Sequence, residues 1–396
     1  GITSKEFNNR PIMDEILKLR SEMSELVGFS NYAEYSTQSK MVESPDAVVE
    51  FLNSLIELST PQAKAELMDL ESFAGHPLMP WDLMYYSEKL KQKTFSFKSS
   101  DLKPFFPESS VFDGLFETIQ NLYNVKLTEI HEKTYHEDVR VINLEDNNGV
   151  IGRIYLDVYA RENKRGGAWM SDYQGLFKES LPVAFVVCNL NSPSEGKPAL
   201  FDFDEIVTIF HEFGHALHHL LTKVPFPCAA GISGVPWDGV ELPSQYMENF
   251  CYEREVVNLI SGHWETGEKL PEELFQKVIE SKNFQSGLQM LRQCEFALWD
   301  ITTHITSNDT YEVLGKVREK TALLPIVREN RFLNSFSHIF SGGYAAGYFS
   351  YKWAEVLAAD AYEFVKESGG IGSKSSNDFR RHILEIGGSL DFMDQY

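Results

Sequence analysis

Apolar residues recur at helical spacing through the first 125 positions of the chain. The stretch 13–26 carries Ile16, Leu17, Leu19, Met23 and Leu26, and Gly28 stands where a helix stops on a left-handed residue. Ser44-Pro45-Asp46 reads as a helix start with proline in the first turn. Val48, Val49, Phe51, Leu52, Leu55 and Ile56 continue that helix until Pro61, which is expected to break or kink it. Residues 81–90 and 115–122 predict further helices. The period then changes to two. Residues 139–144 and 151–159 alternate about the turn Asp146-Asn147-Asn148-Gly149, which predicts a hairpin. Residues 166–169 read as a third strand and the apolar run 182–190 as another. Helical patterns return at 206–221, 240–260, 271–279, 287–303, 311–323, 344–365 and 379–386.

The predicted fold is mainly α with a small, antiparallel-rich sheet of about four strands. Residues 1–130 form a helical part, 131–200 the sheet, and 201–396 a second helical part. No repeat stands out and no linker forces a boundary, so the chain reads as one region.

Composition narrows the function. Of 396 residues, 43% are hydrophobic and 24% charged, an ordinary soluble balance. A formal net charge of −22 argues against nucleic acid and anionic membrane as partners. No run of about 18 apolar residues is present, so no membrane span is expected. The opening residues have no apolar signal-peptide core and no initiating methionine, and they read as a processed or excised chain. Cys188, Cys228, Cys251 and Cys294 have no disulfide or metal spacing, which favours a reducing cytoplasm. Cys188 and Cys294 read as small core residues.

The chemistry concentrates in His211-Glu212-Phe213-Gly214-His215. Residues four apart share a helix face, about 6 Å apart along the axis. Two imidazoles so placed reach one zinc ion, with Glu212 beside the ion rather than on it. The surrounding Phe210, Phe213, Ala216, Leu217, Leu220 and Leu221 predict a buried helix, where ionisable groups are costly unless paired or metal-bound. A third ligand is needed. His218 shares the face but lies about 10 Å along the axis from His211, so it reads as a packing or supporting residue. The longer motif that continues to Gly and a third His is broken by His218 and Leu221. Glu241, near the start of the next helix with Asp238 as a candidate N-cap, is the expected third ligand. Glu248, two turns on, competes for that role or supports a ligating histidine.

Further along, Ser341-Gly342-Gly343 is a flexible turn followed by Tyr344, Tyr348 and Tyr351 at i, i+4 and i+7. This is either an aromatic stripe of the core or the lining of a cleft, with His338 just ahead of it.

The chain resembles the thimet oligopeptidase family of zinc peptidases. The resemblance rests on the histidine motif, on Val240-Glu241-Leu242-Pro243-Ser244-Gln245 with Met247-Glu248-Asn249, and on Tyr86-Ser87-Glu88-Lys89. It extends through 159–169, 261–267 and 336–348, nearly the whole chain. It implies a zincin-like, gluzincin catalytic lobe of the neurolysin-like fold, with one Zn²⁺ held by His211, His215 and Glu241. It implies Glu212 as general base, and His338 and Tyr351 as donors to the tetrahedral intermediate. Tyr344, Tyr348, Gly342 and Gly343 would contact the peptide. The edge at 167–169 would add to the substrate backbone as a strand. Short peptides are the implied substrates, cleaved internally. The alternatives are removal of C-terminal dipeptides, or binding of zinc or peptide without turnover. The family also carries a helical region ahead of the part present here and an arginine-containing tail after it. On that ground an incomplete channel is expected, with weak activity and non-specific dimerisation through an exposed apolar wall.

Overall fold

The computed structural model describes residues 8–194, 196–306, 309–327 and 329–396. The chain divides into two compact units, 1–96 with 280–353 and 97–279 with 354–396.

In the first unit the predicted helices form at Arg10–Leu26, Pro45–Ala74 and Leu83–Phe95, with Ser286–Thr306 and Thr310–Thr321 from later in the chain, and a short helix that was not predicted, Tyr32–Thr37, joins them. Gly28 takes φ +93° just beyond the first, as its position required. Ser44 caps the third by accepting from the Ala47 N–H. Pro61 does not end that helix, which runs through it for 30 residues. Proline removes one hydrogen bond to the carbonyl of Glu57, and both residues lie on the exposed face. The buried positions Val48, Leu52, Ile56, Ala63, Leu67 and Leu70 carry the packing instead. The core of this unit joins Leu52 and Ile56 to Leu298, Trp299, Ile301, Ile339 and Phe349.

The second unit is built on one five-stranded sheet, β1 (Lys126–Ile130), β2 (Arg140–Asp146), β3 (Gly149–Tyr159), β4 (Trp169–Gln174) and β5 (Val183–Leu190). Its order is β1-β2-β3-β5-β4. All neighbours are antiparallel except β3 and β5, which are parallel. The hairpin turn is where it was expected, with Asp146 accepting from the Asn148 N–H. Two expectations are corrected. The sheet has five strands rather than four, β1 having been missed. The strand predicted at 166–169 starts at Trp169, because Gly167 turns at φ +98° ahead of it.

The turn between β3 and β4 is held by one buried carboxylate. Asp157 is 2% exposed and accepts two hydrogen bonds from Arg161, at 2.6 and 2.7 Å. Lys164 and Tyr135 each add one at 2.9 Å. Burial raises its pKa, but the bonds from Arg161, Lys164 and Tyr135 outweigh this and hold it at about 2. This matters for the site because β4 begins where the turn ends.

The helix predicted at 240–260 is two helices, Leu242–Phe250 and Arg254–Ile260. The one predicted at 344–365 begins only at Ser350, because Ala346 takes a left-handed φ of +47°. No helix among the described residues is long and apolar enough to cross a membrane. Cys188, Cys251 and Cys294 are buried, Cys228 is exposed, and none of the four is in a disulfide.

Asp157→Asn is expected to lower the unfolding free energy by about 3 kcal/mol at neutral pH, read by urea titration. A carboxylate depressed on folding stabilises above its ordinary pKa and loses that contribution as pH falls toward about 2. The variant therefore loses less stability than the parent across that acid window. Equal stability of the two proteins at pH 7 would contradict the assignment.

Candidate active site

The histidine helix spans Phe203–Leu220. Asp202 caps it, accepting from the Glu205 N–H while Glu205 accepts from the Asp202 N–H. It packs on β4 and β5 and against the glutamate helix, Leu242–Phe250.

The contact between these two helices depends on Gly214, the residue ahead of the second histidine. A Cβ there would lie 2.5 Å from the Pro243 carbonyl oxygen and 2.5 Å from the Ser244 Cα. Only glycine allows so close an approach of backbone to backbone. The approach places Glu241, at the mouth of the glutamate helix, beside both histidines. Glu241 Oε2 lies 3.3 Å from His211 Nε2 and 3.2 Å from His215 Nε2. These three are the one group of metal-ligating side chains among the described residues whose donor atoms all lie within 4.8 Å of one another.

The geometry fits zinc. Donors on a zinc ion at about 2.0–2.1 Å stand about 3.3 Å apart at the corners of a tetrahedron. The electrostatics couple the same groups. Burial opposes a charged Glu241, but His215 and His211 hold it well below the ordinary carboxylate range. Burial opposes a protonated His211, yet Glu241 and Glu248 raise it well above the ordinary imidazole range.

The supporting contacts decide what the sequence left open. His211 Nδ1 donates to Glu248 Oε1 at 2.6 Å, which fixes the ring with Nε2 turned toward Glu241. Glu248 thus contacts the cluster only through His211 among the described residues, and Glu241 is the cluster's third member. Ser244 Oγ donates to Glu241 Oε2 at 3.0 Å, a contact that the sequence reading missed. Asp238 does not cap this helix. Glu241 itself stands at the N-cap, and Asp238 lies in the turn before it. His218 is fully buried, with both ring nitrogens lacking a hydrogen-bond partner among the described residues. Burial lowers its pKa to about 3, so it packs as a neutral ring apart from the cluster.

Glu212 is 5% exposed, and burial raises its pKa against the opposing pull of His215 and His211. The backbone N–H of Met170 on β4 also favours its charged form. Its Oε2 has no hydrogen-bond partner among the described residues. That oxygen is a buried, unpartnered acceptor on the residue next in the chain to His211.

The first unit gathers the other predicted residues. His338 lies in the short helix Ser337–Phe340. Its ring centre is 6.1 Å from Tyr344, 5.6 Å from Tyr348 and 6.2 Å from Tyr351. Tyr344 stacks on Tyr351 at 4.9 Å. They cluster, but not as one helix face, because 344–349 is a succession of turns. Gly342 lets the loop fold onto His338, whose carbonyl oxygen would lie 2.8 Å from an added Cβ. The Tyr344 N–H donates to that carbonyl at 3.0 Å. Tyr348 is buried and donates to Gln293 Oε1 at 3.0 Å, and burial pushes its hydroxyl to about 12.

Comparison with known proteins agrees with this geometry. The model of Peptidase family M3 matches residues 2–396. The chain belongs to that family. It is 46% identical to Oligopeptidase A of Salmonella typhimurium, with all of this chain covered and 61% of the relative. It is 33% identical to Dipeptidyl carboxypeptidase of Escherichia coli, again covering all of this chain and 61% of the relative. The chain thus spans less than two thirds of these relatives. A solved putative Oligoendopeptidase F superposes with a TM-score of 0.65 over 99% of this chain and 60% of that one, at 14% identity, which supports the fold.

Gly214→Ala is expected to push the two helices apart, costing about 2 kcal/mol or more of stability. It should also lower bound zinc, measured by metal analysis after dialysis, well below the parent. Gly315→Ala, at a position with nothing within 4 Å, is the control and should retain the parent's zinc. Full zinc occupancy in Gly214→Ala would show that the close approach does not build the cluster.

Proposed function

We propose that this chain is the catalytic region of a zinc-dependent oligopeptidase that hydrolyses internal bonds of short peptides. The observation that carries this reading is the His211, His215 and Glu241 cluster with the open Glu212 Oε2 beside it, in a chain of Peptidase family M3. His211, His215 and Glu241 would hold one Zn²⁺ per chain, which when bound would supply the Lewis acid for the scissile carbonyl and for water. Glu212 accepts the proton of the attacking water at Oε2 and passes it to the leaving amine. Glu248 keeps His211 turned so that its Nε2 stays available. His338 and Tyr351 donate hydrogen bonds to the developing oxyanion. Tyr344 and Tyr348 bind the peptide, with Gly342 and Gly343 letting its backbone approach closely. The fold is read as gluzincin-like and of the neurolysin type, the whole chain as one catalytic region, and the compartment as the cytoplasm. The net charge of −22 supports peptides over nucleic acid as partners.

Cleavage inside the peptide is preferred over removal of C-terminal dipeptides, since identity to the oligopeptidase exceeds that to the dipeptidyl carboxypeptidase.

An internally quenched peptide blocked at both ends tests the reading. Hydrolysis is expected, lost on chelation and restored by zinc. Glu212→Gln should keep its zinc and lose nearly all turnover, and Tyr351→Phe should lower kcat by about 100-fold or more. Cleavage only of peptides with a free C-terminus would favour the dipeptidase reading. Chelator-insensitive cleavage would overturn both.

A further inference from the structure

One carboxylate in the first unit sits where an apolar residue would pack more cheaply. Asp300 lies within the helix Ser286–Thr306, between the buried Trp299 and Ile301, and is 0% exposed. Burying a lone carboxylate is costly unless hydrogen bonds surround it. They do. Asp300 Oδ1 accepts from the Ala346 N–H at 3.0 Å, and Oδ2 accepts from the Gly347 N–H at 2.9 Å and the Tyr348 N–H at 3.0 Å. Three successive amides converging on one anion form a backbone nest, and the left-handed Ala346, at φ +47°, is what turns them inward. The carbonyls of the same turn are held from the other side. Ser36 Oγ donates to the Ala345 and Ala346 oxygens at 3.0 and 3.3 Å.

A second chain of contacts stands behind the carboxylate. His304, one helical turn on, is 3% exposed and donates from Nδ1 to the Asp300 carbonyl at 2.8 Å, with Asp300 Oδ1 at 3.1 Å. Arg20 donates to His304 Nε2 at 3.2 Å and to the Ile339 carbonyl at 2.7 Å. The same network thus grips the loop on both sides of Ser341-Gly342-Gly343. It holds Ile339, next to His338, through Arg20, and it holds 346–348, between Tyr344 and Tyr351, through Asp300.

We propose that Asp300 is a positioning residue for the peptidase reaction, fixing the loop that presents His338 and the three tyrosines, with Arg20 and His304 bracing it. The proposal rests on the reading above that these loop residues act on the peptide. A buried charge of this kind adds little net stability compared with an apolar replacement, but it selects one backbone conformation among those that a glycine-rich turn allows. The clamp's contacts described above all lie within the first unit, so its loss is expected to leave metal binding intact.

The test uses the full 396-residue chain. Asp300→Asn keeps the shape but turns an NH₂ group toward amides that need an acceptor. Hydrogen exchange at the Ala346, Gly347 and Tyr348 amides should rise at least tenfold, with bound zinc unchanged. On the quenched peptide kcat/KM should fall about 10–100-fold. Tyr351→Phe should then cost less in the Asp300→Asn background than alone, because a displaced loop has already lost that contact. Arg20→Gln, which leaves the nest itself intact, should show the same pattern more weakly and guards against simple misfolding of Asp300→Asn. Unchanged exchange at 346–348 overturns the clamp. Faster exchange with unchanged kcat/KM, or a strictly additive pair with Tyr351→Phe, overturns the positioning role. If the parent cleaves no peptide while zinc is bound, the peptidase reading fails instead, and amide exchange alone decides whether the clamp exists.

Discussion

The approach of two helix backbones at Gly214 is the constraint on which the metal centre depends. A histidine pair four residues apart is a local property of one helix. A third ligand from another helix is not, and it must be delivered to within a few tenths of an ångström. Gly214 removes the one side chain that would hold the glutamate helix away, and Pro243 and Ser244 occupy the space gained. Glu241 lies two residues ahead of Pro243 in the chain, so its place is set by the same contact. Ser244 then bonds the Glu241 carboxylate, and Glu248, on the same helix, bonds His211. The glutamate helix thus supplies one ligand and orients another.

The sheet contributes through β4 and β5, against which the histidine helix packs. The Met170 amide on β4 favours the charged form of Glu212, so an element remote in sequence bears on the carboxylate expected to move the proton. Asp157 gathers Arg161, Lys164 and Tyr135 around the turn ahead of β4. In the first unit Asp300 does the same for a loop rich in glycine and tyrosine. In both places a buried carboxylate, satisfied by several donors, holds a connection that local preference would leave adaptable.

What was legible in the sequence follows from range. His211, Glu212 and His215 were readable because their relation is fixed within one helical turn. Glu241 was found as an acidic residue at a helix start and expected as the third ligand, while Glu248 remained its competitor until the cluster and the His211 contact separated them. Gly214 was overlooked, although a glycine inside a buried helical pattern is itself a sign of close packing. The break at 251–253 carries neither glycine nor proline. There the chain leaves the helix through three successive tight turns, from Cys251, Tyr252 and Glu253 to Glu248, Asn249 and Phe250. The tyrosine stripe was expected on a helix because 344–351 has helical spacing. The left-handed Ala346 that interrupts it is stabilised by Asp300, 46 residues away, which no local pattern reveals. β1 was missed because five residues beside a long helix give too short an alternation to detect.

X-ray absorption at the zinc edge on the protein after metal loading tests the central claim most directly. The account predicts one zinc per chain, two imidazole nitrogens and carboxylate oxygen in the first coordination sphere at about 2.0–2.1 Å, and no sulfur. Glu241→Gln should change that oxygen signal, and Glu248→Gln should leave the ligand count intact. A sulfur shell, or a spectrum unchanged by Glu241→Gln, would contradict the assignment of His211, His215 and Glu241 as the metal centre.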